Sequence, residues 1–137
     1  MILLSFDFGI KKIGVAVGEN IIKKGRPLKV LNAHNGNPNW DIIKNLIQYW
    51  QPQYIIVGFP LNINGTKQEI TDKSEKFANL LQYKFNIIVK MHDERLTTVE
   101  AKSMIFKQGG FKALKKEKIH SFAAVIILES WLNENIV

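Results

Sequence analysis

The 137-residue chain has no cysteine, which excludes a disulfide scaffold, a zinc finger, a thiol nucleophile and an iron–sulfur site together. That absence agrees with a reducing compartment. Long apolar runs are missing too, and none approaches the roughly 20 residues that a membrane-spanning helix needs. The opening segment MILLSFDFG lacks the basic leader and extended apolar region of a secretion signal. The expectation is a cytoplasmic protein with no membrane partner. Proline is scarce, at 4 residues, and no linker, repeat or low-complexity tract divides the chain, so residues 1–137 are read as one domain. Acidic residues are few: 12 Asp and Glu face 19 Lys and Arg, for a formal charge of +7. A polyanion is therefore the first partner to consider. Arginine is nearly absent, with Arg26 and Arg95 alone, so the excess is almost all lysine.

What is present suffices for one core, since 46% of the residues are hydrophobic. Short apolar runs at Ile2–Phe6, Ile13–Val17 and Pro27–Leu31, separated by glycine-containing turns, predict three hairpin-linked strands. A turn follows at Asn35-Gly36-Asn37-Pro38. Trp40, Ile43, Leu46, Ile47 and Trp50 then recur at spacings of three and four, which predicts an amphipathic helix capped by Asn39. The run Tyr54–Val57 predicts a strand buried on both faces. A loop with Asn64-Gly65, a helix over Ile70–Lys84 and a second buried strand at Ile87–Val89 come next. Thr97 with Glu100 offers a capping box for a helix that ends at Gly109-Gly110. A last helix is expected over about His120 to Asn133, with Trp131 on its buried side. Antiparallel strands followed by strand–helix alternation imply an α/β fold with a mixed sheet flanked by helices. Ligand sites in such sheets lie beyond the carboxyl ends of the parallel strands.

Asp7 stands at such an end, directly after an apolar run in which a carboxylate must be paired, hydrogen-bonded or bound to a cation. Asp93 and Glu94 stand at another. Neighbouring strand residues face opposite ways, so only one of these two can share a face with Asp7. Two carboxylates converging from separate strand ends suit Mg²⁺ or Mn²⁺ and metal-assisted hydrolysis; the alternative is that Asp7 accepts hydrogen bonds from the Gly9–Gly14 turn and that the second carboxylate pairs with Arg95 or Lys90. Gly9–Gly14 frames a basic turn with Lys11 and Lys12, but Val15 stands where a phosphate-binding Walker loop needs its lysine. Neither GxSxG nor HExxH occurs, and His34, His92 and His120 are scattered. The stretch Lys107–Lys118, KQGGFKALKKEK, reads as a basic segment suited either to solvent or to a phosphate backbone. Trp40 and Trp50 read as core residues.

Three motifs occur together and in order: F-D-F-G-x-K-x-x-G-V-A-V at Phe6–Val17, I-I-V-G-x-P-L-N-x-x-G-T at Ile55–Thr66, and H-D-E-R-L-T-T-V-E-A at His92–Ala101. With A-A-V-I-I-L-E-S at Ala123–Ser130 they resemble the YqgF family, also called RuvX, over essentially the whole chain. The resemblance implies an RNase H-like fold with a five-stranded mixed sheet. It also implies a metal-dependent nuclease acting in maturation of the 5′ end of pre-16S rRNA, or on branched DNA as a Holliday junction resolvase, with Mg²⁺ or Mn²⁺ as cofactor. A non-catalytic factor that binds RNA or the pre-30S ribosomal particle is the remaining alternative, and the chain would act as a monomer or homodimer. By motif match the catalytic and metal positions are Asp7, Glu94 and His120. The nucleic-acid contacts are expected from Lys11, Lys12, Arg95, Lys112, Lys115 and Lys116. Where the family has K-x-x-D-S-x-A-A, this chain has K-x-K-I-H-S-F-A-A, so His120 replaces an aspartate. An imidazole there lowers the site's negative charge by one and favours Mn²⁺ over Mg²⁺.

Overall fold

In the computed structural model, residues 1–59, 68–93 and 118–135 are described. The first strand, β1 (Ile2–Asp7), pairs antiparallel with β2 (Lys12–Glu19), which pairs antiparallel with β3 (Lys24–His34). Beyond α1 (Trp40–Trp50), β5 (Tyr54–Phe59) returns parallel to β1. Beyond α2 (Glu69–Phe85), β6 (Ile88–Asp93) lies parallel to β5, and α3 (Lys118–Glu134) closes the described chain. The mixed α/β architecture read from the sequence is therefore present.

Among the described residues the sheet has six strands rather than five, in the order β4 (Asn37–Pro38)-β3-β2-β1-β5-β6. The additional strand, β4, pairs with Ala33 and His34. Asn35 and Gly36 form the two-residue loop between β3 and β4, and both have positive φ, 50° and 83°, as a type I′ hairpin turn requires. Proline is tolerated in β4 because the strand lies at the sheet edge. β6 also departs from expectation. Among the described residues it is the opposite outer strand, and Ile88 is 51% exposed rather than buried. The helix expected from Thr97 to Gly109-Gly110 and the Asn64-Gly65 loop lie outside the described residues.

Alternation along β1 sends its side chains to two different layers. Leu4, Phe6 and the following Phe8 join Ile13, Val15 and Val17 of β2 in a core covered by Ile43 and Ile47 of α1 and Phe77 and Leu81 of α2. Burying each such side chain contributes about 1.5–3 kcal/mol. Trp40 and Trp50 pack against this core, as expected of them. Asn39 caps α1, its side chain accepting from the Asp41 amide. Leu3 and Ser5 face the other way, toward α3, where Ile127, Leu128, Trp131 and Leu132 are buried. A helix apolar on so much of its circumference must be enclosed rather than laid on a surface. It crosses β1, β2 and β3, and it brings its first turn to the carboxyl end of β1.

Candidate active site

Asp7 is the last residue of β1 and lies on the α3 face, two residues beyond Ser5. The Ser5 hydroxyl is fully buried and donates to the Ala124 carbonyl at 2.6 Å. Left unpaired, that hydroxyl would cost about 1–3 kcal/mol, so the bond fixes how α3 sits over β1. Directly across from Asp7 in the ladder is Gly14. A Cβ at Gly14 would overlap the His120 carbonyl and stand 2.7 Å from the Ser121 nitrogen. Glycine therefore lets the first turn of α3 rest on the β2 backbone beside Asp7. The result is a close pair 113 residues apart in sequence: His120 Nδ1 lies 3.4 Å from Asp7 Oδ2. The Asp7 side chain is 16% exposed and that of His120 40%, so the pair opens to solvent on the histidine side.

Of the other expected site residues, Lys12 shares the β2 face of Gly14, and its ammonium donates to the Asn32 side chain. Lys11 is exposed in the turn before β2, where its carbonyl accepts from the Ala33 amide. Glu94, Arg95, Lys112, Lys115 and Lys116 lie outside the described residues. Asp93 is described, and parity places it. Met91 packs into the α1/α2 core, so Asp93, two residues on, belongs to that side of the sheet and not to the side of Asp7.

His92 faces α3, with Nε2 2.8 Å from the Ser130 hydroxyl and Nδ1 3.8 Å from Glu134. It anchors β6 to α3, a role hidden in a sequence where it stands as one of three scattered histidines. Gly14 was also missed as a site residue, although a signal was available. Gly14, Ala16 and Gly18 alternate along one face of β2, and Ala123-Ala124 lies near the start of α3. Small residues on a strand face opposite small residues on a helix predict close approach.

The donor set of Asp7 and His120 fits a divalent ion. Ligands on adjacent octahedral positions at about 2.1 Å from an ion stand about 3 Å apart, so a carboxylate oxygen and a ring nitrogen 3.4 Å apart can share one ion with little movement. Among the described residues no group of three or more His, Asp or Glu gathers as a metal site. No described helix is long and apolar enough to cross a membrane.

The sequence matches the family model described as RuvX, Holliday junction resolvase, over residues 1–134. It is 81% identical over 134 residues to a protein of Buchnera aphidicola subsp. Acyrthosiphon pisum (strain Tuc7) named "Putative pre-16S rRNA nuclease", covering 98% of this chain and 99% of that one. A protein of the same name from Escherichia coli (strain K12 / DH10B) is 54% identical over 132 residues, with 96% of each chain covered. Among solved structures, T. thermophilus RuvC in complex with a Holliday junction substrate superposes with a TM-score of 0.62 at 14% identity, covering 98% of this chain and 95% of that one. The fowlpox virus resolvase bound to Holliday junction DNA gives 0.61 at 16%, with 98% of each chain covered. At these identities the two structures establish likeness of fold.

Proposed function

The chain belongs to the RuvX family, and from that premise we propose that it is a metal-dependent endonuclease hydrolysing phosphodiester bonds at the 5′ end of pre-16S rRNA during ribosome biogenesis. The observation that carries the reading is the meeting of Asp7 and His120 at 3.4 Å, at the carboxyl end of a central strand. That is where an open α/β sheet offers a ligand site. The substrate is taken from the relatives named as pre-16S rRNA nucleases.

In this proposal Asp7, Glu94 and His120 hold Mg²⁺ or Mn²⁺, with Asp93 set aside because it belongs to the opposite face. A bound divalent ion supplies Lewis-acid activation of the attacking water and offsets charge at the phosphate. Asp7 contributes the fixed negative charge that retains the ion, and the Ser5 bond and the Gly14 contact hold its partner His120 in place. Lys11, Lys12, Arg95, Lys112, Lys115 and Lys116 bind the phosphate backbone. Binding then weakens with salt. The partner is nucleic acid, free or within the pre-30S particle, and the compartment is the cytoplasm.

Resolution of DNA junctions is the second reading, favoured by the family description and by the likeness to RuvC. It requires two symmetric sites and hence a homodimer. The test is incubation of the wild-type protein with a 5′-extended 16S rRNA precursor fragment and, separately, with a synthetic four-way DNA junction, in each metal. Metal-dependent cutting of the RNA is the expected result. Cutting of the junction alone would install the second reading, and binding without cutting of either would leave a non-catalytic factor.

His120 sets a further expectation. Imidazole nitrogen favours Mn²⁺ over Mg²⁺, so cleavage at equal low metal concentration is expected to be roughly tenfold faster in Mn²⁺. His120→Asp is expected to narrow that ratio by raising the Mg²⁺ rate. Equal rates in both metals for the wild type would remove His120 from the metal site.

A further inference from the structure

Beyond the residues assigned to the site, a cleft of about 210 Å³ opens on the opposite face of the sheet, where α2 passes the β3–β4 hairpin. It is lined by Lys73 and Lys76 of α2 and by Asn35 and Asn37 of the hairpin. Lys73 donates to Asn35 at 2.8 Å, a neutral partner. Among the described residues neither lysine forms an ion pair. Phe8 and Phe77, 5% and 3% exposed, form an apolar floor with Trp40, which is stacked on Phe77 at 5.5 Å and has the Lys84 ammonium 5.2 Å from its ring.

Two features tie the cleft to Asp7. Phe8 is the next residue in the chain, and the Gly36 amide donates to the Ile10 carbonyl at 2.9 Å, which joins the hairpin to the turn between β1 and β2. The cleft is also smaller than the roughly 300–1,000 Å³ of sites that enclose a small-molecule ligand. It can seat one unit of a longer chain. Cationic and amide groups beside an apolar floor recognise a phosphodiester and pack against its sugar.

We infer that this cleft is a subsite for one nucleotide of a single-stranded segment of the substrate, held by Lys73 and Lys76 through its phosphate. The strand reaches it by passing over the carboxyl edge of β1 from the Asp7 side. The inference rests on the nuclease reading for the nature of the substrate and adds a contact surface on α2, distinct from the lysines already assigned.

The test measures binding rather than cleavage, in EDTA, with a fluorescently labelled single-stranded RNA oligonucleotide and the full-length protein. For Lys73→Gln/Lys76→Gln the slope of log affinity against log salt is expected to fall by about 0.7, since the two lysines share one phosphate and each single-strand phosphate neutralised contributes about that much. Affinity should drop alike for unrelated sequences. Lys73→Arg/Lys76→Arg is expected to restore the slope, and Lys23→Gln/Lys24→Gln, of equal charge change at the far hairpin, is expected to leave it unchanged. An unchanged slope in the α2 variant, or an equal loss in the Lys23/Lys24 variant, overturns the subsite. Displacement of the RNA by inorganic phosphate at matched ionic strength would show a free-anion site and overturn the strand reading. Failure of the wild type to cut RNA would overturn the nuclease reading while leaving these binding results to stand or fall separately.

Discussion

Asp7→Asn is expected to reduce metal-dependent cleavage by about 10³-fold or more while leaving the protein folded. A carboxylate that retains a catalytic ion is worth several kcal/mol of transition-state stabilisation, and each 1.36 kcal/mol is a factor of ten. Asparagine keeps the shape of the side chain but removes the anionic oxygen now 3.4 Å from His120 Nδ1. Folding should be spared because the β1 ladder uses the backbone of residue 7 and the apolar layers use its neighbours. Cleavage rates and thermal melts of the purified proteins check both halves of the expectation. Asp93→Asn is the matched comparison, with its carboxylate on the other side of the sheet, and it is expected to keep cleavage within a few fold of wild type. Retained cleavage in Asp7→Asn would remove the metal site from β1, and equal losses in both variants would defeat the assignment by face.

Much of the architecture was legible because burial writes a period into the sequence. The apolar run at Ile2–Phe6, the three-and-four spacing from Trp40 to Trp50, and Asn39 before that helix each report a local constraint, and the corresponding elements formed. β4 was not legible. Two residues carry no period, and Asn37-Pro38 has the composition of a turn; its pairing depends on the positive φ of Asn35 and Gly36 next to β3. The outer position of β6 among the described strands was equally hidden, since Ile87-Ile88-Val89 is apolar whether or not a further strand covers it. At the site, Asp7 stood out as a carboxylate in an apolar run. The choice between Asp93 and Glu94 needed a register. Met91 in the core supplies it by assigning Asp93 to the wrong face for Asp7. The meeting of Asp7 with His120 spans the chain, so no local pattern reports it; motif resemblance alone pointed there.

That meeting depends on a glycine, and Gly14→Ala is expected to break it. Each of the three nearest atoms to an added Cβ is backbone, from His120 and Ser121, so no rotamer change relieves the overlap. The first turn of α3 must lift from β2. Forcing a methyl into so tight a contact typically costs about 1–3 kcal/mol, which should appear as a lower midpoint in urea with an unchanged slope. The effect on cleavage should exceed the effect on stability, because lifting that turn withdraws His120 from Asp7 while the Ser5 bond and the buried apolar half of α3 still hold the rest of the helix. A cleavage loss of about 10²-fold under conditions where the variant is fully folded is the expected result, in keeping with the cost of a misplacement of about 1 Å at an active site. Gly25→Ala provides the comparison. It faces the same helix one strand further out, where the nearest atom to its Cβ is the end of the Leu128 side chain at 3.1 Å, which can yield. Near-normal cleavage in Gly25→Ala with strong loss in Gly14→Ala would locate the sensitivity at the strand position opposite Asp7. Unimpaired cleavage in Gly14→Ala would show that the approach of His120 to Asp7 is dispensable to the chemistry.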